Sequence, residues 1–229
     1  MKINIKHTGR NFDSYRANKV KSLFNAENGH EWEHIAEIPA EGNDWQIGLI
    51  VGPSGSGKTS LGAQIWGDVD IHDLYAGWNN DQPIIDCIAP NDDFKKVTGA
   101  LSAVGLGDVP AWLRPFGVLS NGEKFRAGLA RLICDAPDRS VIDEFTSVID
   151  RQIAQIGASA FSKSWRRNKE KQVVLLSCHY DIIEWLQPDW VYDTRTGEVK
   201  KKSKNGLLSN STFGRSTEVT GSSLKSITI

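Results

Sequence analysis

The stretch WQIGLIVGPSGSGKTS, residues 45–60, constrains the fold of this chain more than any other segment. A short apolar run, 45–51, passes directly into a glycine-rich segment and then into residues that favour a helix. Apolar runs of this length are typical of strands that are buried on both faces of a sheet. The sequence therefore predicts a buried strand, a glycine turn and a helix from about Lys58, as in an α/β fold.

The segment GPSGSGKT fits the pattern G-x-x-x-x-G-K-[ST] without deviation. Glycines in this pattern let backbone N–H groups converge on phosphate oxygens, and the helix N-terminus favours their charge. We expect Lys58 to reach the β- and γ-phosphates and the Thr59 hydroxyl to ligate Mg²⁺. A glycine turn with a purely structural function is the alternative. The residues predicted to cradle a nucleoside triphosphate are Gly52, Pro53, Ser54, Gly55, Ser56, Gly57, Lys58, Thr59 and Ser60.

Two adjacent carboxylates end a second predicted buried strand, RSVIDEF, 139–145. In phosphate-loop sites Mg²⁺ is usually held by an Asp of this kind, so Asp143 is predicted to bind the metal together with Thr59. Glu144 is the predicted general base that activates water for attack on the γ-phosphate. The alternative is an ordinary polar strand end. His179 follows a third predicted strand, 172–178, and is a candidate to orient the γ-phosphate or the attacking water.

The other segments alternate between strand and helix patterns, which predicts a mostly parallel sheet with ligands at the carboxyl ends of its strands. An edge strand is predicted over 1–7, and a strand or a short helix over 14–24. Hairpin and turn residues are expected over 25–44, and a short strand or loop over 81–88. The remaining predicted elements are helices over 91–104, about 122–134, 150–168 and 180–186, and a hairpin over 190–200.

Composition excludes several classes of protein. The formal net charge of −1 gives no general attraction to nucleic acid or to an anionic membrane. No segment approaches the ~20 apolar residues of a membrane span, and the first ten residues lack the apolar core of a signal peptide. Cys87, Cys134 and Cys178 form no CxxC pair and are predicted to be buried free thiols, as in a reducing compartment. We therefore expect a cytoplasmic protein without membrane insertion.

Three further motifs follow the glycine loop: LSNGEKFRAGLARLI (119–133), SVIDEFTSVID (140–150) and LLSCHYD (175–181). Their order and sequence resemble ABC-type ATPases, the ATP-binding cassette superfamily, over about residues 45–195. LSNGE stands where LSGGQ is usual, and DEFTSVID stands where DEPTSALD is usual, so that Asp150 corresponds to the aspartate of the D-loop. His179 stands at the switch histidine. The resemblance implies a P-loop NTPase fold, α/β with a mostly parallel central sheet, and ATP with Mg²⁺ as cofactors.

The resemblance also implies a function for the second glycine-bearing turn. In that family two nucleotide-binding domains dimerise head to tail, and the signature residues of one close on the ATP of the other. Ser120 and Gly122 are the implied contacts to the γ-phosphate of the partner subunit. The alternative is a capped helix, because Ser120 and Asn121 are both good N-cap residues.

Several positions depart from the family pattern. Asn121 replaces a glycine, Glu123 replaces the usual glutamine, and Phe145 replaces a proline. Only about 60 residues separate the glycine loop from the signature, which implies a shortened helical subdomain at about 83–120. Gln82 is the candidate for the glutamine that contacts ATP and Mg²⁺, with a turn residue as the alternative. Candidates for the aromatic residue that stacks on adenine are Phe24, Tyr15 and Trp32.

These features predict an ATPase domain over 1–199 and a flexible Ser/Thr/Lys-rich tail over 200–229. The short middle region looks more like a soluble group of ABC-type ATPases, some of which precede an acetyltransferase-like domain. The first hypothesis is a soluble ATP hydrolase that acts as a switch or clamp through an ATP-dependent homodimer. This hypothesis also allows an unidentified protein partner on a separate chain. The second is the nucleotide-binding subunit of a membrane transporter. A nucleic-acid maintenance ATPase is third, and nucleic acid is the least favoured partner because no long heptad arms are present.

Overall fold

A computed structural model describes residues 1–8, 12–24, 31–67, 69–202 and 208–210 of the chain. The strands are β1 (Lys2–Thr8), β2 (Glu31–Glu37), β3 (Ile47–Val51), β4 (Ile71–His72), β5 (Arg139–Ile142), β6 (Gln172–Ser177), β7 (Trp190–Asp193), β8 (Glu198–Lys202) and β9 (Leu208–Asn210). The helices are α1 (Tyr15–Phe24), α2 (Lys58–Ile65), α3 (Ile84–Cys87), α4 (Phe94–Ala103), α5 (Val109–Trp112), α6 (Asn121–Asp135), α7 (Arg151–Trp165) and α8 (Ile182–Leu186), with a 3₁₀ turn at Phe116–Val118.

Seven strands form the main sheet in the order β4-β5-β6-β3-β7-β8-β9. The pairs from β4 to β7 are parallel, and β8 and β9 continue the sheet antiparallel. Because the parallel strands run in one direction, their carboxyl ends meet at the same edge. This arrangement confirms the predicted α/β fold with a mostly parallel central sheet.

Strand β3 lies in the middle of the sheet, and all five of its residues are buried. Ile47, Leu49 and Val51 face the core shared with α6 and α7, whereas Ile50 faces a second core on the other side. Burial of both faces is the physical reason that the run over 45–51 is continuously apolar. The prediction of a buried strand here is confirmed.

The first part of the chain forms a separate two-stranded antiparallel sheet, β1 with β2. Ile3 and Ile5 of β1 are buried in the second core together with Leu61 and Ile65 of α2. Between these strands, residues 15–24 form a helix rather than a strand, and none of its residues is buried.

Helices α6 and α7 are the two longest of the described residues, at 15 residues each. Both begin at a side-chain cap, since Ser120 accepts from the Glu123 amide and Asp150 accepts from the amides of Gln152 and Ile153. Within the part of the chain that the structure describes, no helix has the length and apolarity needed to cross a membrane.

Several predictions are corrected. Residues 84–87 are helical rather than a strand or loop, because the chain turns after Pro83 and the Ile84 amide donates to the Arg114 carbonyl oxygen. All three cysteines are free, but only Cys134 is buried, since Cys87 and Cys178 are half-buried. Lys200 lies inside β8, which pairs with β7 and β9, so an ordered strand continues past the predicted start of the tail. Residues 203–207 and 211–229 of that tail lie outside the described residues.

Gly48 of β3 allows a close approach that a larger residue would prevent. A Cβ atom at this position would lie 2.0 Å from Cζ2 of the buried Trp190. We predict that Gly48→Ala lowers the free energy of unfolding by about 1–3 kcal/mol, because the indole must move within a packed core.

The matched control is Gly99→Ala, on the exposed side of α4, where a Cβ atom meets nothing within 4 Å. Alanine favours a helix over glycine by up to about 1 kcal/mol, so this variant is expected to be more stable than the wild type. Urea unfolding at 25 °C measures both. Equal effects of the two substitutions would show that the Trp190 contact does not restrict position 48.

Candidate phosphate-binding site

The glycine loop, residues 52–57, connects the buried end of β3 to the first turn of α2. Gly55 and Gly57 adopt φ angles of +75° and +84°, in the left-handed region that favours glycine. No side chain caps α2, because its N-cap residue is Gly57. The N-terminal amides of this helix therefore point toward the loop, in the arrangement that favours an anion.

Lys58 lies across this loop. Its ammonium group donates to the carbonyl oxygens of Gly52 at 2.9 Å and Pro53 at 2.7 Å. These bonds hold a positive charge beside the turn that contains Gly55 and Gly57. A lysine in this position supplies a point charge for a phosphate that enters the loop.

Thr59 and Asp143 are brought into direct contact by the parallel sheet and by α2. The Thr59 hydroxyl donates to Oδ2 of Asp143 at 2.7 Å, although 84 residues separate them. The other oxygen, Oδ1, accepts from the Glu144 amide at 2.7 Å. A hydroxyl and one carboxylate form the hard oxygen donor set with which Mg²⁺ binds beside phosphates, while it keeps several waters. These two residues fit the predicted metal ion.

The turn after Asp143 is strained. Glu144 and Thr146 both have positive φ, +50° and +67°, which is uncommon for a residue with a side chain and more so for a β-branched one. Strand β6 holds this turn, because the Phe145 amide donates to the Leu176 carbonyl oxygen at 2.9 Å and the Ser177 hydroxyl donates to the Phe145 carbonyl oxygen at 2.8 Å. The Glu144 side chain is exposed at this turn. These bonds hold the strained turn in place, so that the Glu144 carboxylate stays at the cavity.

A cavity of about 520 Å³ lies between the loop and this turn. Most of the predicted binding and catalytic residues line it: Ser54, Gly55, Gly57, Lys58, Thr59, Ser60, Asp143 and Glu144. The same loop also contains Gly52, Pro53 and Ser56, which do not belong to the described residues that line the cavity. A larger cavity of about 710 Å³ lies near the amino ends of β3 and β7, beside Trp45 and Trp190, and contains none of the motifs. The smaller cavity is therefore the candidate site.

Three residues that line the cavity were missed by the sequence reasoning: Ser147, Ser177 and Cys178. Ser177 and Cys178 end the predicted strand over 172–178, so their position at a carboxyl end was the available signal. Ser147 carried no signal of its own, because only the strained turn brings it to the cavity.

His179 lies one residue beyond the cavity wall and is half-buried. Its amide donates to the Ser177 hydroxyl at 3.2 Å, so the same serine binds this segment and the turn after Asp143. A second link runs through Arg151, which forms an ion pair with Asp181 and also bonds to the Thr146 carbonyl oxygen. The two segments are therefore held together, and the role of His179 in turnover stays a prediction.

Ser120 and Gly122 lie at the start of α6 and do not belong to the described residues that line the cavity. Ser120 and Glu123 form a reciprocal capping box, in which the Glu123 carboxylate accepts from the Ser120 amide at 2.7 Å. A Cβ atom on Gly122 would lie 2.9 Å from Ile153 of α7, so this glycine permits close helix packing. The capping alternative is thus realised within the chain, and the contact with a partner's phosphate stays a prediction.

Gln82 is exposed, and the described cavity wall does not include it. Strand β4, which was not predicted, lies next to β5 at the same edge as Asp143, whose amide donates to the His72 carbonyl oxygen. The segment that begins at Asp73 therefore leaves the sheet next to Asp143, and the role of Gln82 stays a prediction. A two-residue strand gives no periodicity from which it can be found.

The aromatic candidates for adenine stacking are not brought to the cavity wall. Tyr15 and Phe24 lie on α1 and are 79% and 70% exposed. The side chain of Trp32 lies outside the described residues. The residue that stacks on the base stays a prediction.

Comparisons with known proteins bear on the fold of the chain. No family model and no curated protein matches the sequence. Similar solved structures include a dimeric structure of MJ0796, a bacterial ABC transporter cassette, and a dimeric post-hydrolysis state of the ATP-binding cassette MJ0796 bound to ADP and Pi. Each is 13% identical, with 84% of this chain and 94% of the other covered, and the TM-scores are 0.56 and 0.58. The chain therefore has the fold of an ABC-type P-loop cassette.

The capping box predicts a pH dependence. Hydrogen bonds from Ser120 hold the pKa of the Glu123 carboxyl below its ordinary value of 4.5. Since the pKa is lower in the folded state, the stabilisation is present above the unfolded value and is lost as the pH falls through the folded value. We expect the wild type to lose stability relative to Glu123→Gln below about pH 4.5.

Urea unfolding of both proteins between pH 3 and pH 7 measures this difference. Glutamine keeps an acceptor for the Ser120 amide but has no charge to titrate, so it isolates ionisation from capping. A difference in the free energy of unfolding that stays constant over the whole pH range would contradict the prediction. It would show that ionisation of Glu123 beside Ser120 does not stabilise the fold.

Proposed function

We propose that this chain is an ATP hydrolase of the ABC type that dimerises head to tail around two ATPs and acts as a soluble switch or clamp. The observation that carries the proposal is the contact between Thr59 and Asp143, beside Lys58 and Glu144 in one cavity. A merely structural glycine turn needs neither a hydroxyl–carboxylate pair nor an exposed carboxylate at a strained turn. These side chains match the needs of phosphoryl transfer to water.

In this proposal the glycine loop and the first turn of α2 bind the phosphates of the nucleotide. Loop amides and the ammonium group of Lys58 donate to the β- and γ-phosphate oxygens. Thr59 and Asp143 would hold Mg²⁺, which would neutralise phosphate charge. The adenine preference comes from the resemblance alone, since no guanine-reading NKxD motif is present.

Glu144 acts as the general base in hydrolysis. Its carboxylate accepts a proton from a water molecule as the water oxygen attacks the γ-phosphorus. The bond from this phosphorus to the bridging β-γ oxygen breaks, and ADP and inorganic phosphate leave. His179, which is held next to this turn through Ser177, orients the γ-phosphate or the water.

The second subunit completes the site. Ser120 and Gly122 are absent from the described wall of the cavity in their own chain, which supports a function on the partner's nucleotide. In the proposed dimer the Ser120 hydroxyl, which accepts from the Glu123 amide, donates its proton to a phosphate oxygen of the partner's nucleotide. The dimeric form of the similar solved structures supports the same arrangement.

The alternative function is the nucleotide-binding subunit of a membrane transporter. One similar structure is a bacterial ABC transporter cassette, which is the observation in its favour. We favour the soluble switch because the motifs lie close together in sequence, and we place it in the cytoplasm because its cysteines are free. Dimerisation of the isolated chain is compatible with both, since this transporter cassette is itself dimeric, whereas co-purification with a membrane-embedded protein would favour the alternative.

The test is the mass in solution of Glu144→Gln, measured by light scattering with and without Mg·ATP. Loss of the base should lower kcat by about 10²–10⁴-fold and trap the bound ATP. We expect a monomer that becomes a dimer only when Mg·ATP is added, because the second subunit supplies donors to each γ-phosphate.

The control is the double variant Glu144→Gln with Ser120→Arg. It should bind ATP and stay monomeric, because the arginine side chain fills the place where the partner's nucleotide must enter. A Glu144→Gln protein that binds ATP and stays monomeric would refute the autonomous switch and favour an obligate partner. Failure to bind ATP would refute the proposed activity itself.

A further inference from the structure

A buried threonine outside the glycine loop contacts the loop at two points. Thr194 directly follows β7 and is 8% exposed. Its hydroxyl lies 2.6 Å from Oγ of Ser56, and it also donates to the Val51 carbonyl oxygen at 3.2 Å. The Thr194 amide donates to the same carbonyl at 2.9 Å. One side chain is thus bonded both to the residue before the loop and to the middle of the loop.

The loop fits closely against this threonine. A Cβ atom on Gly52 would lie 1.9 Å from Oγ1 of Thr194 and 3.0 Å from Oγ of Ser56. The first glycine of the motif therefore serves a second purpose here, because it leaves room for the two hydroxyl groups to meet. The hydroxyl pair is part of how this loop is built.

Ser56 is the point in the loop where such a bond has most effect. It lies between Gly55 and Gly57, which lack side chains and adopt left-handed φ angles. The Ser56 amide makes one long bond to the Pro53 carbonyl oxygen, at 3.3 Å. Glycines lose more conformational freedom on ordering than other residues, so a side-chain bond at Ser56 limits how far the loop amides move.

The same turn is linked to the segment that carries His179. The Tyr180 hydroxyl donates to Oδ1 of Asp193 at 2.9 Å, and this oxygen also accepts from the Arg195 amide at 2.8 Å. The Arg195 guanidinium lies 5.5 Å from the centroid of the Tyr180 ring. Burial and the bond with Asp193 raise the pKa of Tyr180, so the phenol is protonated and donates at neutral pH.

We infer that Asp193 and Thr194, where β7 passes into the turn toward β8, are positioning residues for the nucleotide site. Thr194 holds the glycine loop in its phosphate-binding shape, and Asp193 holds the segment with Tyr180 and His179. The inference rests on the proposed function, which it deepens. Its two contacts act on different steps, because the loop binds both ADP and ATP whereas His179 acts on the γ-phosphate alone.

The first experiment measures the binding of Mg·ADP and Mg·ATP to full-length protein by calorimetry. Thr194→Val keeps the shape of the side chain and removes the hydroxyl, so Kd for both nucleotides should rise about tenfold. Thr194→Ser restores the hydroxyl and should bind within about threefold of the wild type.

The matched control is Thr196→Val in the same turn. The Thr196 hydroxyl accepts from the Glu198 amide, and among the described residues it makes no hydrogen bond to the glycine loop or to Tyr180. The affinities of this variant should therefore match those of the wild type. Ser56→Ala removes the same bond from the loop side and keeps the test valid if Thr194→Val does not fold. The double variant Ser56→Ala with Thr194→Val should bind no more weakly than the weaker single variant, because both substitutions break one interaction.

Tyr180→Phe tests the second contact. It should lower kcat for ATP hydrolysis severalfold and leave the Kd of Mg·ADP unchanged, which a general loss of stability would not do. Wild-type affinity in Thr194→Val, with only a lower Tm, would overturn the positioning role while the proposed function stands. Failure of the wild type to bind either nucleotide would overturn the proposed function and this inference together.

Discussion

The burial of β3 on both faces is the constraint on which the rest of the structure depends. At its start, Oδ2 of Asp189 accepts from the amides of Gln46 and Ile47, and Arg166 pairs with the same carboxylate. Along its length β3 pairs with β6 and β7. The chain therefore leaves the sheet at Val51 in one direction, and the glycine loop begins from a rigid point.

The site is built from the ends of neighbouring parallel strands rather than from one motif. Asp143 directly follows β5, Ser177 ends β6, and Thr194 directly follows β7. Each side chain bonds to a segment that follows another strand. Because these strands are hydrogen-bonded neighbours in one sheet, the bonds between their ends hold the loop, the carboxylates and the His179 segment together. A site that stabilises transferring phosphate needs this kind of preorganisation.

Helix α6 has one function that the structure shows and a second that we propose for the same atoms. Within the chain, Ser120 and Glu123 cap the helix reciprocally. In the proposed dimer, the same N-terminus faces the partner's γ-phosphate, and the Glu123 carboxylate stands where a neutral glutamine is usual in the family. The capping box turns that charge back onto the Ser120 amide. In that dimer, the internal partner of Glu123 would let the chain keep an acidic residue at a helix end that faces phosphate.

Local sequence by itself determined the strand at 45–51, the glycine loop, the Asp143–Glu144 pair and the capped starts of α6 and α7, because each depends on neighbours within a few residues. Tertiary structure decided what depends on strand order. It brought Thr59 to Asp143, placed β4 next to β5, and added Ser177, Cys178 and Thr194 to the site. Strands that are neighbours in the sheet are distant in the chain, so no local pattern records which of their end residues meet.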